Sequence, residues 1–276
     1  MIIDFHTHVF PPEVRDGRAD YAHKDATFAE MYTQAKASIA TSDDLLESMA
    51  STGVDASVAC GFAWRDHENI VRHNDYLLEA AAQSEGRIIP FVTVNMAGER
   101  AEAEIARCAE AGARGIGELR PENQGWELNG ESGHRLARLA DEYDLPLLFH
   151  VTEEEGHEYP GKRGCSLASF REFALMHPGL TIIGAHLGGD IYRTPAPPDV
   201  FVDTAAVPFL HKPPQQPAVL GAVSPDRLLF ASDFPLIDQA RALRELREAL
   251  PERDTLAMAL GANAAGILSL TTEAAL

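Results

Sequence analysis

Residues 2–8 read Ile2-Ile3-Asp4-Phe5-His6-Thr7-His8, two aliphatic residues running straight into a polar and aromatic alternation. The run reads as a β-strand. Side chains alternate along a strand, so Asp4, His6 and His8 are expected on one face and Ile3, Phe5 and Thr7 on the other, against helices. Two imidazoles two residues apart can converge on one cation. Asp4, one step deeper, is placed to orient a ligand from behind.

Seven further runs of the same character follow: Ala56-Ser57-Val58-Ala59-Cys60, Ile88-Ile89-Pro90-Phe91-Val92-Thr93-Val94, Gly115-Ile116-Gly117-Glu118, Pro146-Leu147-Leu148-Phe149-His150, Thr181-Ile182-Ile183-Gly184-Ala185-His186, Val200-Phe201-Val202-Asp203 and Leu228-Leu229-Phe230-Ala231-Ser232-Asp233. Continuous apolar runs suit parallel strands covered on both faces. Helical spacing of apolar residues marks 43–52, 68–84, 100–111, 133–143, 167–176, 239–250 and 255–268. Strands alternating with helices fit a closed barrel or a doubly wound open sheet. The 276 residues are near the ~250 typical of a (β/α)8 TIM barrel, and a barrel in one domain spanning 1–276 is the expected fold. Two places depart from the repeat. Residues 191–198 contain three prolines and look too broken for a full helix between strands six and seven. Residues 11–40 form a long insertion after strand one, with a helix expected near 27–38. Insertions after barrel strands lie on the active-site face, so this one is expected to shape the site.

Composition excludes several function classes. The formal charge of -19 disfavours a nucleic-acid partner, whose phosphates require clustered Lys and Arg, and disfavours an anionic membrane surface. The three cysteines, Cys60, Cys108 and Cys165, lack CxxC spacing and suggest reduced, buried thiols. The first residues lack the pattern of a secretory signal, and no apolar run approaches the ~20 residues of a membrane helix, so a cytoplasmic protein is expected. A homodimer is the default oligomer.

The strand ends carry the chemistry. The fourth run ends in Glu118, the fifth in His150, the sixth in His186 and the eighth in Asp233. In a barrel these ends meet His6 and His8 at one rim, where active sites occur. Imidazoles with one or two carboxylates suit a divalent ion, Zn above all, with Mn, Fe, Co and Ni as alternatives that spacing does not separate.

The sequence resembles the amidohydrolase superfamily, in particular its amidohydrolase-related (amidohydrolase 2) branch of compact barrels, which includes decarboxylases and lactonases. The matching segments are Asp4-Phe5-His6-Thr7-His8, Ile183-Gly184-Ala185-His186-Leu187-Gly188-Gly189, Leu229-Phe230-Ala231-Ser232-Asp233-Phe234-Pro235 and, more weakly, Gly261-Ala262-Asn263-Ala264-Ala265-Gly266-Ile267-Leu268. The resemblance implies metal ligation by His6, His8, His150 and Asp233. It also implies that His186 is either a ligand of a second metal or an acid/base residue. Glu118 departs from many single-metal members of that branch. TatD-type hydrolases and some phosphotriesterase-like enzymes place a glutamate or modified lysine there to bridge two metals, so one or two ions per chain are expected. The alternative for Glu118 is an ion pair with Arg120 or a helix residue.

The expected activity is hydrolysis of a small amide, ester, lactone or phosphoester through a metal-activated water, with Asp233 and His186 catalytic. The runner-up is metal-dependent, non-oxidative decarboxylation of a small carboxylic acid, since one scaffold runs both. A TatD-like nuclease fits Glu118 but not the charge. A barrel that keeps its metal only for stability is the non-enzymatic alternative. Arg120, Trp64 and Arg163 are the candidate substrate-binding residues, since a rim cation could hold a substrate carboxylate. Arg65 and Lys162 lie at the same rim, where the alternative is a solvated charge. Glu153-Glu154-Glu155 is expected as a solvated acidic turn, and His23, His67, His73, His134, His157, His177 and His211 as structural or surface residues.

Overall fold

The computed structural model describes residues 1–153, 158–193, 197 and 199–270. Eight parallel strands form one sheet in sequence order: β1 (Ile3–Thr7), β2 (Ala56–Cys60), β3 (Ile88–Val92), β4 (Gly115–Leu119), β5 (Leu147–Phe149), β6 (Ile182–Gly184), β7 (Val200–Asp203) and β8 (Leu228–Leu229). The sheet closes where Phe5 N–H donates to Phe230 O at 2.8 Å, His8 N–H to Phe234 O at 2.7 Å and Asp233 N–H to His6 O at 2.9 Å. The fold is a (β/α)8 barrel, and all eight strand runs seen in the sequence are used.

The helices follow α1 (Pro12–Asp16), α2 (Arg18–Lys24), α3 (Ala26–Tyr32), α4 (Ser42–Thr52), α5 (His67–Gln83), α6 (Ala101–Glu110), α7 (Pro121–Gln124), α8 (Glu131–Glu142) and α9 (Leu167–Met176). Their ends are set locally. Thr41 and Asp44 make a reciprocal capping box at the start of α4, and Gly53 ends it in the left-handed region at φ 74°. The expected helix at 27–38 is shorter, and α1 and α2 precede it unforeseen. The expected helix at 255–268 is interrupted by a π-helical turn at Met258–Ala262, where Gly261 lies against Met1 O too closely for a Cβ. The broken stretch at 191–198 forms one 3-10 turn, Ile191–Arg193, and then passes partly outside the described residues. Two short helices between β7 and β8, Val207–Leu210 and Gln216–Gly221, went unforeseen. Among the described residues no helix is long and apolar enough to cross a membrane.

Three apolar clusters order the molecule. Ile3, Phe5, Val58, Cys60, Phe91, Leu148, Ile183 and Leu229 come from six strands and fill the barrel interior, with Phe5 edge-on to Phe91 at 5.6 Å. Val92, Ile116, Leu147, Ile182, Val202 and Leu228 pack outward on helix residues such as Leu45, Leu77, Ile105 and Leu136. The third cluster, Phe10, Phe28, Tyr32, Phe62 and Trp64 among it, roofs one side of the barrel mouth with the insertion that carries α1–α3.

This division corrects the expected faces of β1. Ile3 and Phe5 point into the barrel, and Asp4 points out. Asp4 accepts from Gln239 Nε2 at 2.7 Å, from Ser232 N–H at 2.9 Å and from Ser232 Oγ at 2.5 Å, and its contact with His6 is to the backbone, not the ring. Strict alternation would then turn His6 outward. The β1–β2 register is irregular between Asp4 and Thr7, and that irregularity brings the His6 ring back to the interior. Such departures re-aim side chains next to functional sites.

Candidate metal centre

The strand ends converge as two adjacent donor groups, His6, His8 and Asp233 in one and Glu118, His150 and His186 in the other, with donor atoms within 4.8 Å of one another in each. All six residues are buried. His150 and Asp233 arrive by simple alternation from inward-facing Leu148 and Leu229. Glu118 does not: the β4–β5 register is irregular between Ile116 and Leu119, and this turns its carboxylate inward. His186 is turned in by a left-handed turn over Ala185–Asp190, in which His186 (φ 57°) and Leu187 (φ 57°) adopt a conformation costly for side chains with a Cβ. Asp233 also sits at φ 63°. Strained backbone of this kind persists where the surroundings enforce it.

The outer ring nitrogens of three imidazoles are tied to the fold. His6 Nδ1 lies 2.9 Å from Asp203 Oδ2 and presents Nε2 to the centre. His186 Nδ1 lies 3.1 Å from Ala205 O, leaving Nε2 inward. His150 Nε2 lies 3.1 Å from Lys162 O, so its Nδ1 faces Glu118 Oε1 at 2.9 Å. Gly164 makes this last placement possible, since a Cβ there would lie 2.5 Å from His150 Cδ2. Two imidazole pairs then face each other: His6 and His8 Nε2 at 3.0 Å, and His186 Nε2 with His150 Nδ1 at 3.2 Å. Glu118 sits between the pairs, with Oε1 3.7 Å from His6 Nε2 and 3.6 Å from His186 Nε2, and Oε2 3.6 Å from His8 Nε2. Asp233 Oδ1 lies 3.5 Å from His8 Nε2.

The electrostatics show a site that requires positive charge. Burial opposes a charge on His6, but Glu118 and Asp203, then Asp233, outweigh it and push its pKa up to about 9. Burial is likewise outweighed at His186, which Glu118, Glu153 and Asp233 hold well above the ordinary value. His8 is lowered by burial and by charge on His6. Burial would raise Glu118, yet His150 and His6 hold it well below the usual carboxylate range. Opposed imidazole nitrogens about 3 Å apart, with buried carboxylates beside them, need protons or a cation between them. The donor set therefore fits a divalent ion, which would replace the protons.

Asp203, at the end of β7, went unnoticed in the sequence although it ends a strand run as Glu118 and Asp233 do. Its Oδ2 fixes the His6 ring, and its Oδ1 accepts from His186 N–H at 2.9 Å and Ala205 N–H at 3.0 Å. It thus holds one residue of each donor group. Asp203→Asn is expected to weaken metal binding about 10–100-fold, the usual effect of losing a ligand's outer partner. Titration of the metal-free variant with Mn²⁺ or Zn²⁺ checks this, and unchanged affinity would assign Asp203 to the fold alone.

Above the donors opens a cavity of about 440 Å³ with His8, Glu118, His150, His186 and Asp233 at its base. Its walls are mainly apolar and aromatic: Met31, Tyr32, Tyr159, Pro160, Phe209, Pro235 and Leu236. The insertion after β1 supplies one wall, as its position predicts, including Lys36 near the mouth. The three expected substrate-binding side chains lie elsewhere. Trp64 is spent in the aromatic roof, stacked on Phe28 at 4.9 Å and donating to His73 Nδ1 at 3.0 Å. Burial lowers the His73 pKa to about 4, so its neutral ring accepts that bond. Arg120 is buried and donates to Gly161 O at 3.1 Å, to Arg163 O and to Glu30 at 3.4 Å. Arg163 joins this contact through its carbonyl, while its exposed side chain is not part of the cavity wall. Lys162 is buried, against the expectation of a solvated charge. Glu153 is also buried and accepts from Tyr159 Oη at 2.9 and 3.0 Å, so that part of the acidic turn is not solvated. Glu154, Glu155 and His157 lie outside the described residues. His134 and His177 face each other at 3.1 Å on the outside of the barrel, away from the centre.

The family profile described as Amidohydrolase matches residues 3–270. No curated protein matches the chain significantly. Among solved structures, a 5-carboxyvanillate decarboxylase from Novosphingobium aromaticivorans, complexed with manganese and 4-hydroxy-3-methoxy-5-nitrobenzoic acid, is similar at 19% identity and TM-score 0.77, covering 98% of this chain and 96% of that one. The 5-carboxyvanillate decarboxylase from Sphingomonas paucimobilis is 18% identical, with TM-score 0.72 and coverage of 98% and 99%. A 2,6-dihydroxybenzoate decarboxylase complexed with 2,6-dihydroxybenzoate is 16% identical, with TM-score 0.73 and coverage of 98% and 99%. At such identities the likeness is one of fold.

Proposed function

The chain belongs to the amidohydrolase family, and from that premise we propose that it is a metal-dependent enzyme releasing CO2, without oxidation, from a small aromatic carboxylic acid. The observation that carries this reading is the cavity: about 440 Å³, walled by Tyr32, Tyr159, Phe209 and Leu236, and opening directly onto buried metal-type donors. Apolar walls with a few convergent polar groups suit a flat ring carrying a carboxylate. Similar barrels are decarboxylases of ring carboxylates, one of them with manganese, and this supports the same choice. It makes the runner-up of the sequence reading the leading one and puts Mn beside Zn as the expected ion.

His6, His8 and Asp233 would hold the ion, with His150 beside them. When bound, it would supply Lewis acidity that neutralises the substrate's charge and draws electron density toward its oxygens. The protein does the rest. The apolar walls hold the ring and exclude water, which strengthens every electrostatic contact at the base. Replacing CO2 at the ring carbon requires a proton. His186 Nε2 faces the centre, and Glu118, Glu153 and Asp233 favour its charged form, so it is the donor in this reading. CO2 then leaves with cleavage of the carbon–carbon bond, whose electron pair stays on the ring.

One observation favours a second reading. Glu118 lies between the two imidazole pairs and faces His6 and His186 with one oxygen and His8 with the other. A carboxylate so placed would suit a site for two ions, which is the TatD-like reading of Glu118. Two ions would suit hydrolysis of a small amide, ester, lactone or phosphoester, with Asp233 Oδ1 accepting the proton of the attacking water. The deciding experiment pairs metal content per chain, in protein purified without chelators, with a CO2-release assay over substituted benzoates. About one ion and CO2 release bear out decarboxylation. Two ions, no CO2 and cleavage of an ester or lactone panel would replace it with hydrolysis.

A further inference from the structure

Tyr32 ends α3 and lines the cavity, yet the metal centre makes no use of it. Its ring is immobilised by neighbours: stacked on Phe28 at 4.8 Å, edge-on to Phe10 at 5.2 Å and edge-on to Phe62 at 5.7 Å. The side chain is only 6% exposed. Buried tyrosine hydroxyls ordinarily find a hydrogen-bond partner. Among the described residues none accepts from Tyr32, although Tyr159, also in the cavity wall, donates to Glu153. With the ring packed on apolar neighbours, the open direction for the hydroxyl is the cavity.

We propose that Tyr32 is a specificity-determining residue, donating its hydroxyl hydrogen to an oxygen substituent on the substrate ring and so selecting oxygenated aromatic acids over unsubstituted ones. This rests on the decarboxylase reading for the identity of the substrate, not for the geometry of the donor. The phenol is suited to donate: burial, and then the charges of Asp233 and Glu118, raise its pKa, so the proton stays on oxygen through the neutral range. A rigid donor with no other partner discriminates strongly, because a ligand lacking the acceptor leaves the hydroxyl both dehydrated and unpaired. The wall that carries it belongs to the insertion after β1, not to the strand ends that carry the metal donors. Selection and chemistry therefore reside in separate parts of the chain.

The test is Tyr32→Phe, which removes one oxygen and keeps the ring. Binding of benzoate and of 2-, 3- and 4-hydroxybenzoate is measured calorimetrically to the Mn²⁺-loaded protein and its variant. The unmodified protein is expected to prefer its best hydroxybenzoate over benzoate by about tenfold or more, and Y32F to lose that preference while benzoate binding stays the same. Y32F is also expected to keep the thermal unfolding midpoint, since no internal hydrogen bond is removed. A preference that survives Y32F, or no preference in the unmodified protein, overturns the proposal, as does a lowered midpoint with unchanged selectivity. CO2 release, followed in parallel, separates the two ideas. Lost preference without CO2 from any acid leaves Tyr32 standing and removes the decarboxylase reading. CO2 release with selectivity unchanged in Y32F does the reverse.

Discussion

Asp233→Asn is expected to lower turnover by roughly 10³-fold, the middle of the range for impaired acid–base catalysis, since Asp233 supports the charge on His186 in the decarboxylase reading and accepts the water's proton in the hydrolase reading. The substitution is chosen for its geometry. Asp233 sits at φ 63°, a region that asparagine adopts at less cost than alanine, so the backbone should stay in place. The amide keeps one oxygen toward His8 Nε2 but carries no charge. Two effects then combine. A bound ion would lose an anionic ligand, and His186 loses one of the charges that favour its protonated form. Metal content by elemental analysis and kcat for the best substrate, measured on the same preparation, separate the two. Turnover within tenfold of the parent at full metal content would remove Asp233 from the chemistry under either reading of the reaction.

Arg120→Ala is expected to have the largest effect on stability, about 3 kcal/mol, because it leaves the carbonyls of Gly161 and Arg163 without their donor and removes a buried side chain. For a chain of this size that corresponds to a fall of roughly 6–12 °C in the thermal midpoint. The guanidinium is 1% exposed and ties two segments together: Glu30 and Met31 on α3, and the carbonyls of Gly161 and Arg163 in the loop after β5. Met31 and Gly161 line the cavity, so the substitution should also loosen that part of its wall and raise KM. Arg120→Lys should recover only part of the loss, since a single ammonium cannot reproduce the planar fork. Thermal unfolding followed by near-UV circular dichroism checks the stability. A change below about 1 kcal/mol would mean that water satisfies these groups as well as the arginine does.

The sequence offered Arg120 as a substrate contact, whereas its guanidinium is engaged within the protein, and the reason for the difference is general. A cation following a strand end can face substrate or neighbouring loops, and the choice depends on what lies across from it. Here the partner is Glu30, 90 positions away along the chain. Trp64 and Arg163 were offered in the same way, and the structure engages one with His73 and Phe28 and uses the carbonyl of the other.

The sequence by itself determined a parallel sheet of eight strands, and backbone bonds between β1 and the segment after β8 decided that it closes into a barrel. Eight apolar runs separated by amphipathic stretches bury both faces of each strand only in a parallel sheet wrapped by helices, and every run became a strand. It also determined which strand ends carry donors, and for His150 and Asp233 their inward direction, because alternation from Leu148 and Leu229 holds there. The same rule would have found Asp203, which follows inward-packed Phe201 by two. Alternation fails at the remaining donors. The tertiary structure alone decided that His6 and Glu118 face inward, through irregular register with the neighbouring strand, and that His186 does so through a left-handed turn. It decided too that Asp4 faces the outer helix. Register and backbone handedness at a strand end are settled by hydrogen bonding to neighbours distant in sequence, so a local pattern of residue types does not contain them.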